Sequence, residues 1–217
     1  MTDFAARRTM MVDTQVRPSD VTKFPIIDAM LSVPREDFVP DAKREAAYMG
    51  ENIDLGAGRV VLEPRTLAKM LDAVDVQPDE MVLDLGCGLG YSSAVLARLA
   101  DFVVAVESDE AMAGEAQAAL SAFGADNVAV IHGEPAEGNA KNGPYDVIVV
   151  EGAVEQITGA VVDQLKDGGR IAAIFADGKL GTVRVGYKID GQMAWRHSFH
   201  AGAPVMSGFE TSRTFVL

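Results

Sequence analysis

Between residues 81 and 175 the chain alternates short apolar runs with helical stretches, and few architectures accept that pattern. Met81-Val82-Leu83-Asp84-Leu85 reads as a buried strand, and 91–99 as a helix. A second strand is expected at 102–106, then an alanine-rich helix over 109–123. Strands follow at 128–132 and 145–150, a helix at 157–165 ended by Gly168-Gly169, and a strand at 170–175. The run at 145–150 is nearly all apolar, as befits a strand covered on both faces. Such alternation predicts an α/β fold with a doubly wound, mostly parallel sheet. Ligands of these sheets bind at the carboxyl ends of the strands. The loops after Leu85, Val106, His132 and Val150 are therefore expected to line one site.

The flanks differ in character. Residues 1–50 read as helical. Asp3 is placed to cap a helix running to about Val16 and stopped by Pro18. Phe24, Ile27, Met30 and Leu31 recur at helical spacing. Pro34 and Pro40 then interrupt the chain, and Asp41 starts a short turn reaching Tyr48. No period is clear over 51–63, which reads as loop. Pro64 suits the first position of a helix whose stripe is Leu67, Met70, Leu71 and Val74. Near the other end, 182–189 and 193–199 alternate around Asp190-Gly191, a hairpin signal. A last strand is expected at 213–217. At 217 residues one domain accounts for the whole chain. It divides into a helical extension and loop over 1–63 and a ligand-binding core over 64–217.

Gly86-x-Gly88-x-Gly90 lies between the first strand of the alternating run and its helix. Without Cβ atoms such a loop lets a ligand approach the backbone, and the helix start adds unpaired N–H groups. Alone, the triplet equally describes a tight turn. Two acids at successive strand ends favour a ligand. Glu107 is placed to accept both hydroxyl protons of a ribose, as acids after the second strand do in nucleoside-binding folds. Glu134, after Gly133, is placed to reach an adenine amino group. A nicotinamide dinucleotide calls for a glycine where this chain has Tyr91. Asp84 can instead face the cationic end of S-adenosyl-L-methionine. The expected cofactor-binding set is thus Asp84, Gly86, Cys87, Gly88, Gly90 and Tyr91 from the loop, with Glu107, Ser108, Gly133 and Glu134 from the next two strand ends.

Several other chemistries are disfavoured. The chain carries 19 basic against 32 acidic residues, a net charge of −13, which repels phosphate backbones; no nucleic-acid partner is expected. A single cysteine, Cys87, rules out an intramolecular disulfide and suits a reducing compartment. No apolar run approaches membrane-spanning length, so no membrane partner is expected and the location is expected to be cytoplasmic. Cys87 has no evident His or Asp partner for nucleophilic catalysis. His197 and His200, three apart in a strand, are expected on opposite faces. No metal-ligand spacing appears.

Longer segments carry a more specific likeness. Met11-Val12-Asp13-Thr14-Gln15-Val16-Arg17, Val33-Pro34-Arg35-Glu36-Asp37-Phe38-Val39-Pro40, the strand and glycine loop from Val82 to Tyr91, Tyr145-Asp146-Val147-Ile148-Val149 and Gln164-Leu165-Lys166-Asp167-Gly168-Gly169-Arg170 together resemble protein-L-isoaspartate O-methyltransferases over most of the chain. The resemblance implies a seven-stranded, Rossmann-like methyltransferase fold with an N-terminal helical extension. It implies S-adenosyl-L-methionine as cofactor and an isoaspartyl-bearing protein or peptide as partner, methylated on its α-carboxylate. The methyl ester then collapses to a succinimide, whose hydrolysis restores some normal aspartate. One segment departs from the family. Where the family places a threonine and an active-site serine, this chain has Val60 and Leu62, so no catalytic residue is carried over. The segment after the fourth strand is Glu151-Gly152-Ala153, a new carboxylate near the site. A carboxylate acceptor is already nucleophilic at neutral pH, so transfer is largely positioning. Losing one positioning hydrogen bond costs on the order of 1–3 kcal/mol, or roughly tenfold to a hundredfold in rate. Arg59, Val60 and Leu62 are the expected acceptor-binding residues, with Arg59 the candidate to hold the acceptor carboxylate in bidentate fashion. A related methyltransferase with another acceptor, and a donor-binding protein without transferase activity, remain the alternatives.

Overall fold

The structure, a computed structural model, describes residues 3–177 and 180–211. The strand expected at 213–217 lies outside them. The N-terminal extension opens with α1 (Phe4–Met11), capped by the Asp3 carboxylate on the Ala6 N–H. A π-helical turn over Val12–Val16 continues it, and Pro18 falls in the next turn. Then come α2 (Phe24–Ser32) and 3-10 turns over Arg35–Asp37 and Asp41–Ala46.

The segment 51–63 is not plain loop. It forms a small antiparallel hairpin of β1 (Ile53–Gly56) and β2 (Arg59–Val61). The strands are too short to show a period, and their turn is compact: Gly56, Ala57 and Gly58 all have positive φ. Helix α3 (Pro64–Val74) follows and buries the expected stripe of Leu67, Met70, Leu71 and Val74.

The core alternates as predicted: β3 (Met81–Leu85), α4 (Tyr91–Leu96), β4 (Phe102–Glu107), α5 (Glu110–Phe123), β5 (Val128–His132), β6 (Tyr145–Val154), α6 (Gly159–Asp163), β7 (Leu165–Asp177), β8 (Leu180–Ile189) and β9 (Gln192–His200). Helices α4 and α6 are shorter than expected, and β6 and β7 longer. The seven-stranded sheet has the order β5-β4-β3-β6-β7-β8-β9, parallel through β7 and antiparallel beyond it. Alternation within strands divides the core in two. Val82, Val103, Ala105, Val147 and Val149 join the layer containing α3 and the N-terminal helices. Leu83, Val104, Val106, Ile148 and Val150 face the other layer. This is the period of two that a strand buried on both faces imposes.

One expectation about the hairpin is corrected. His197 and His200 do not point apart: their ring centroids lie 5.1 Å from each other. A bulge in the β8–β9 pairing sets His197 opposite Arg184 and His200 opposite Thr182. The extra residue in β9 reverses the alternation, so both rings share a face.

The sheet order also fixes the crevice. The chain builds outward from β3 to β4 and β5, then crosses back to β6 on the other side of β3. The turning point lies between β3 and β6, where doubly wound sheets take ligands. The glycine loop leaves β3 at that place.

Candidate functional site

The loop after β3 is tied to β4 by its backbone. The N–H groups of Gly86 and Cys87 both donate to the Val106 carbonyl, at 2.8 and 3.3 Å. Gly86 and Gly88 have φ of +80° and +56°, in the left-handed region that side chains avoid. The loop therefore turns sharply and aims the Gly88 N–H at the end of β4. There it meets Glu107, donating to Oε2 at 2.9 Å.

Glu107 is fully buried. Its Oε1 also accepts from the backbone N–H groups of Ser108 and Asp109, at 2.8 and 3.2 Å. Three backbone donors thus cradle this carboxylate before any side chain is counted. Arg59, from β2, completes the shell as a fork: Nε lies 3.2 Å from Oε1 and Nη2 2.6 Å from Oε2. Burial alone pushes the Glu107 carboxyl up. The Arg59 hydrogen bonds and charge, with the Asp109 and Gly88 N–H groups, outweigh it and hold the group below the usual range. The guanidinium expected to hold an acceptor carboxylate is therefore paired with Glu107.

Two further carboxyls lie behind the loop. Asp84, fully buried, accepts from the hydroxyls of Ser92 and Ser93 at 2.7 and 2.6 Å through Oδ2. Its Oδ1 has no partner among the described residues. Burial pushes the group up to about 6, although the two serines and Arg59 pull it down. Glu151, in the carboxyl-end half of β6, is buried, and its Oε1 has no partner among the described residues. Burial and the neighbouring Asp84 charge hold it well above the usual carboxylate range. The ion pair at the site is Arg59 with Glu107, 2.6 Å apart. Burial also pushes the Cys87 thiol well up, which leaves it protonated and unreactive.

The other predicted residues are distributed around this centre. Gly90 caps α4, which limits the loop. Tyr91 is buried in the core against the N-terminal extension. Its ring packs 4.5 Å from the Arg35 guanidinium and 6.3 Å from Phe38, tying the core to the N-terminal extension. Ser108 serves Glu107 through its backbone N–H and, at 3.3 Å, its hydroxyl, and the Gly133 N–H donates to the Glu107 carbonyl at 3.0 Å. Glu134 is exposed beyond β5. Val60 and Leu62 are buried in the apolar core, and the Leu62 carbonyl accepts from the buried Arg35 at 2.8 Å.

Two site residues are not evident in the sequence. Leu55 of β1 covers Gly88: a Cβ there would stand 2.7 Å from its Cδ1. Met206 belongs to a C-terminal strap laid along the end of β6, where Ala153 and Val205 form a parallel bridge. The Ala153 N–H donates to Pro204, and the Met206 N–H donates back to Ala153. Met206 is thereby pressed onto Gly86 and Gly152, where added Cβ atoms would come within 2.6 and 2.5 Å of it. Its partners lie far away in sequence, so no local pattern announces it.

Comparison with known proteins fits this geometry. A family model for protein-L-isoaspartate(D-aspartate) O-methyltransferase matches residues 7–195. A protein-L-isoaspartate O-methyltransferase of Koribacter versatilis is 36% identical over 171 residues, spanning 79% of this chain and 77% of the relative. One from Rhodopseudomonas palustris is 38% identical over 170 residues, spanning 78% and 69%. Among solved structures, a protein-L-isoaspartate O-methyltransferase superposes with a TM-score of 0.82 at 23% identity, covering 94% of this chain and 67% of the other. A Plasmodium falciparum structure assigned to the same activity, in complex with S-adenosyl-L-homocysteine, gives 0.80 at 16% identity, covering 96% and 100%. At those identities the structural likeness speaks for the fold.

Proposed function

Because the chain belongs to the protein-L-isoaspartate(D-aspartate) O-methyltransferase family, we propose that it uses S-adenosyl-L-methionine to methylate the α-carboxylate of isoaspartyl residues in proteins or peptides. The observation that carries this reading is the Glu107 cradle. A buried acid fixed by three backbone N–H groups stands beside a glycine turn at the switch point of the sheet. Such an acid suits the two hydroxyls of a ribose. Gly86 and Gly88 suit a ligand lying against the backbone, and Gly133 is hydrogen-bonded to the Glu107 carbonyl with Glu134 next in the chain.

The family chemistry moves a methyl from sulfur to a carboxylate oxygen: the C–S bond breaks as the O–C bond forms, and S-adenosyl-L-homocysteine leaves. This chain's residues need to supply only binding and alignment, since the acceptor arrives ionised. No catalytic residue is assigned. Val60 and Leu62 bring no hydroxyl to the acceptor side. The partner is then a protein or peptide acceptor, without nucleic acid or membrane, and the location cytoplasmic. Among the described residues, no helix is long and apolar enough to cross a membrane.

The test is transfer of labelled methyl to an isoaspartyl peptide beside its normal aspartyl twin. Base-labile label on the isoaspartyl peptide alone is the expected result. Donor binding without transfer to either peptide would refute the acceptor assignment.

A further inference from the structure

The side chains nearest the proposed donor crevice are the protein's own. Arg59 engages both oxygens of Glu107. Its guanidinium also covers Gly86, where a Cβ would lie 2.4 Å from Nη2. Met206 closes the same face, with its sulfur 2.6 Å from Arg59 Nη1. Leu55 covers Gly88. Residues Gly86 to Gly90 are all buried as a result. A glycine loop that could receive a ligand against its backbone is instead sealed by a hairpin on one side and a strap on the other.

We propose that Arg59 is a built-in competitor of the methyl donor: it holds Glu107 in a closed site, and the donor binds only when Arg59 leaves. This rests on the donor reading given above. The geometry makes the exchange feasible. Glu107 keeps the backbone N–H groups of Gly88, Ser108 and Asp109 as donors when Arg59 leaves. Arg59 adds a fork where two ribose hydroxyls are expected. A carboxylate with three fixed donors and one exchangeable partner is suited to swapping that partner. The swap has a cost, since Arg59 is itself buried and must be rehydrated or re-paired. Apparent affinity is the intrinsic affinity scaled by the fraction of molecules that are open. Arg59 therefore sets how much donor is needed before the site fills.

Met206 acts in the same sense by different chemistry. It brings no charge to Glu107 but fills the space in front of Gly86 and Gly152. Shortening either side chain should open the crevice, one by freeing Glu107 and the other by clearing space over Gly86 and Gly152.

The experiment is calorimetric titration of the full-length protein with S-adenosyl-L-homocysteine, comparing wild type with Arg59→Ala, Arg59→Lys and Met206→Ala. If the closed form dominates by about ten to one, opening the site tightens binding about tenfold. Arg59→Ala is expected to show that gain. Arg59→Lys, which keeps the charge but loses the fork, is expected to fall between it and wild type. Met206→Ala is expected to tighten binding as well, and it guards against the chance that the arginine variants misfold. Equal or weaker binding by the folded variants, with wild type binding normally, overturns the competitor role and leaves the donor reading intact. An absence of binding by every form overturns both.

Discussion

At the scale of single residues, the site is governed by which buried carboxyls find partners. Glu107 has five donor groups around it, and its carboxyl is held below the usual range; Asp84 and Glu151 each keep one oxygen without a partner among the described residues. Asp84 gives a signed expectation. Burial raises it from 3.8 to about 6, so the folded protein holds this proton more tightly than the unfolded chain does. Its stabilising effect is full below pH 3.8 and lost as pH rises through about 6. The swing is on the order of 3 kcal/mol. Asp84→Asn keeps an oxygen for Ser92 and Ser93 but cannot ionise. Urea denaturation at pH 4 and pH 7 should show the variant gaining on wild type by that order as pH rises. An unchanged difference would mean that Asp84 titrates normally. Glu107 and the glycines were legible in the sequence, because a strand end and a tight turn are local features. The pairing of Arg59 was not, because it depends on a hairpin that folds back over residues 48 positions away.

At the scale of elements, the alternating core was readable because long apolar runs separate strands from helices without help from the tertiary structure. The β1–β2 hairpin escaped because its strands have four and three residues. His197 and His200 share a face against the alternation of their strand because a bulge is a property of the pairing rather than of one strand's sequence. Arg35 is a polar tie of the N-terminal extension, beside the apolar packing of Met11, Val16, Ile27 and Met30 against the core. Fully buried, it donates to the Ala47 carbonyl at 2.7 Å and the Leu62 carbonyl at 2.8 Å, and faces the Tyr91 ring. It thus joins the extension, the end of the hairpin and the helix after the glycine loop. Arg35→Ala leaves two carbonyls unpaired and a cavity, so a loss of about 3 kcal/mol in chemical denaturation is expected. A loss below about 0.5 kcal/mol, the range of ordinary surface changes, would show that the extension is held by its apolar packing alone.

At the scale of the whole molecule, two segments at opposite ends of the sequence converge on one turn. The hairpin before α3 supplies Leu55 and Arg59, and the strap after β9 supplies Met206. The sheet brings them together because its turning point places the ends of β3, β4 and β6 side by side. The family resemblance, fold and crevice were therefore accessible from sequence, whereas the sealing of the crevice required the three-dimensional arrangement. The most direct measurement is a crystal structure of the protein with S-adenosyl-L-homocysteine. The expected result is the ribose hydroxyls on Glu107, the ligand backbone-close at Gly86 and Gly88, and the Arg59 guanidinium moved off the carboxylate. Ligand bound elsewhere, or bound with the Arg59–Glu107 fork intact, would contradict this account of the site.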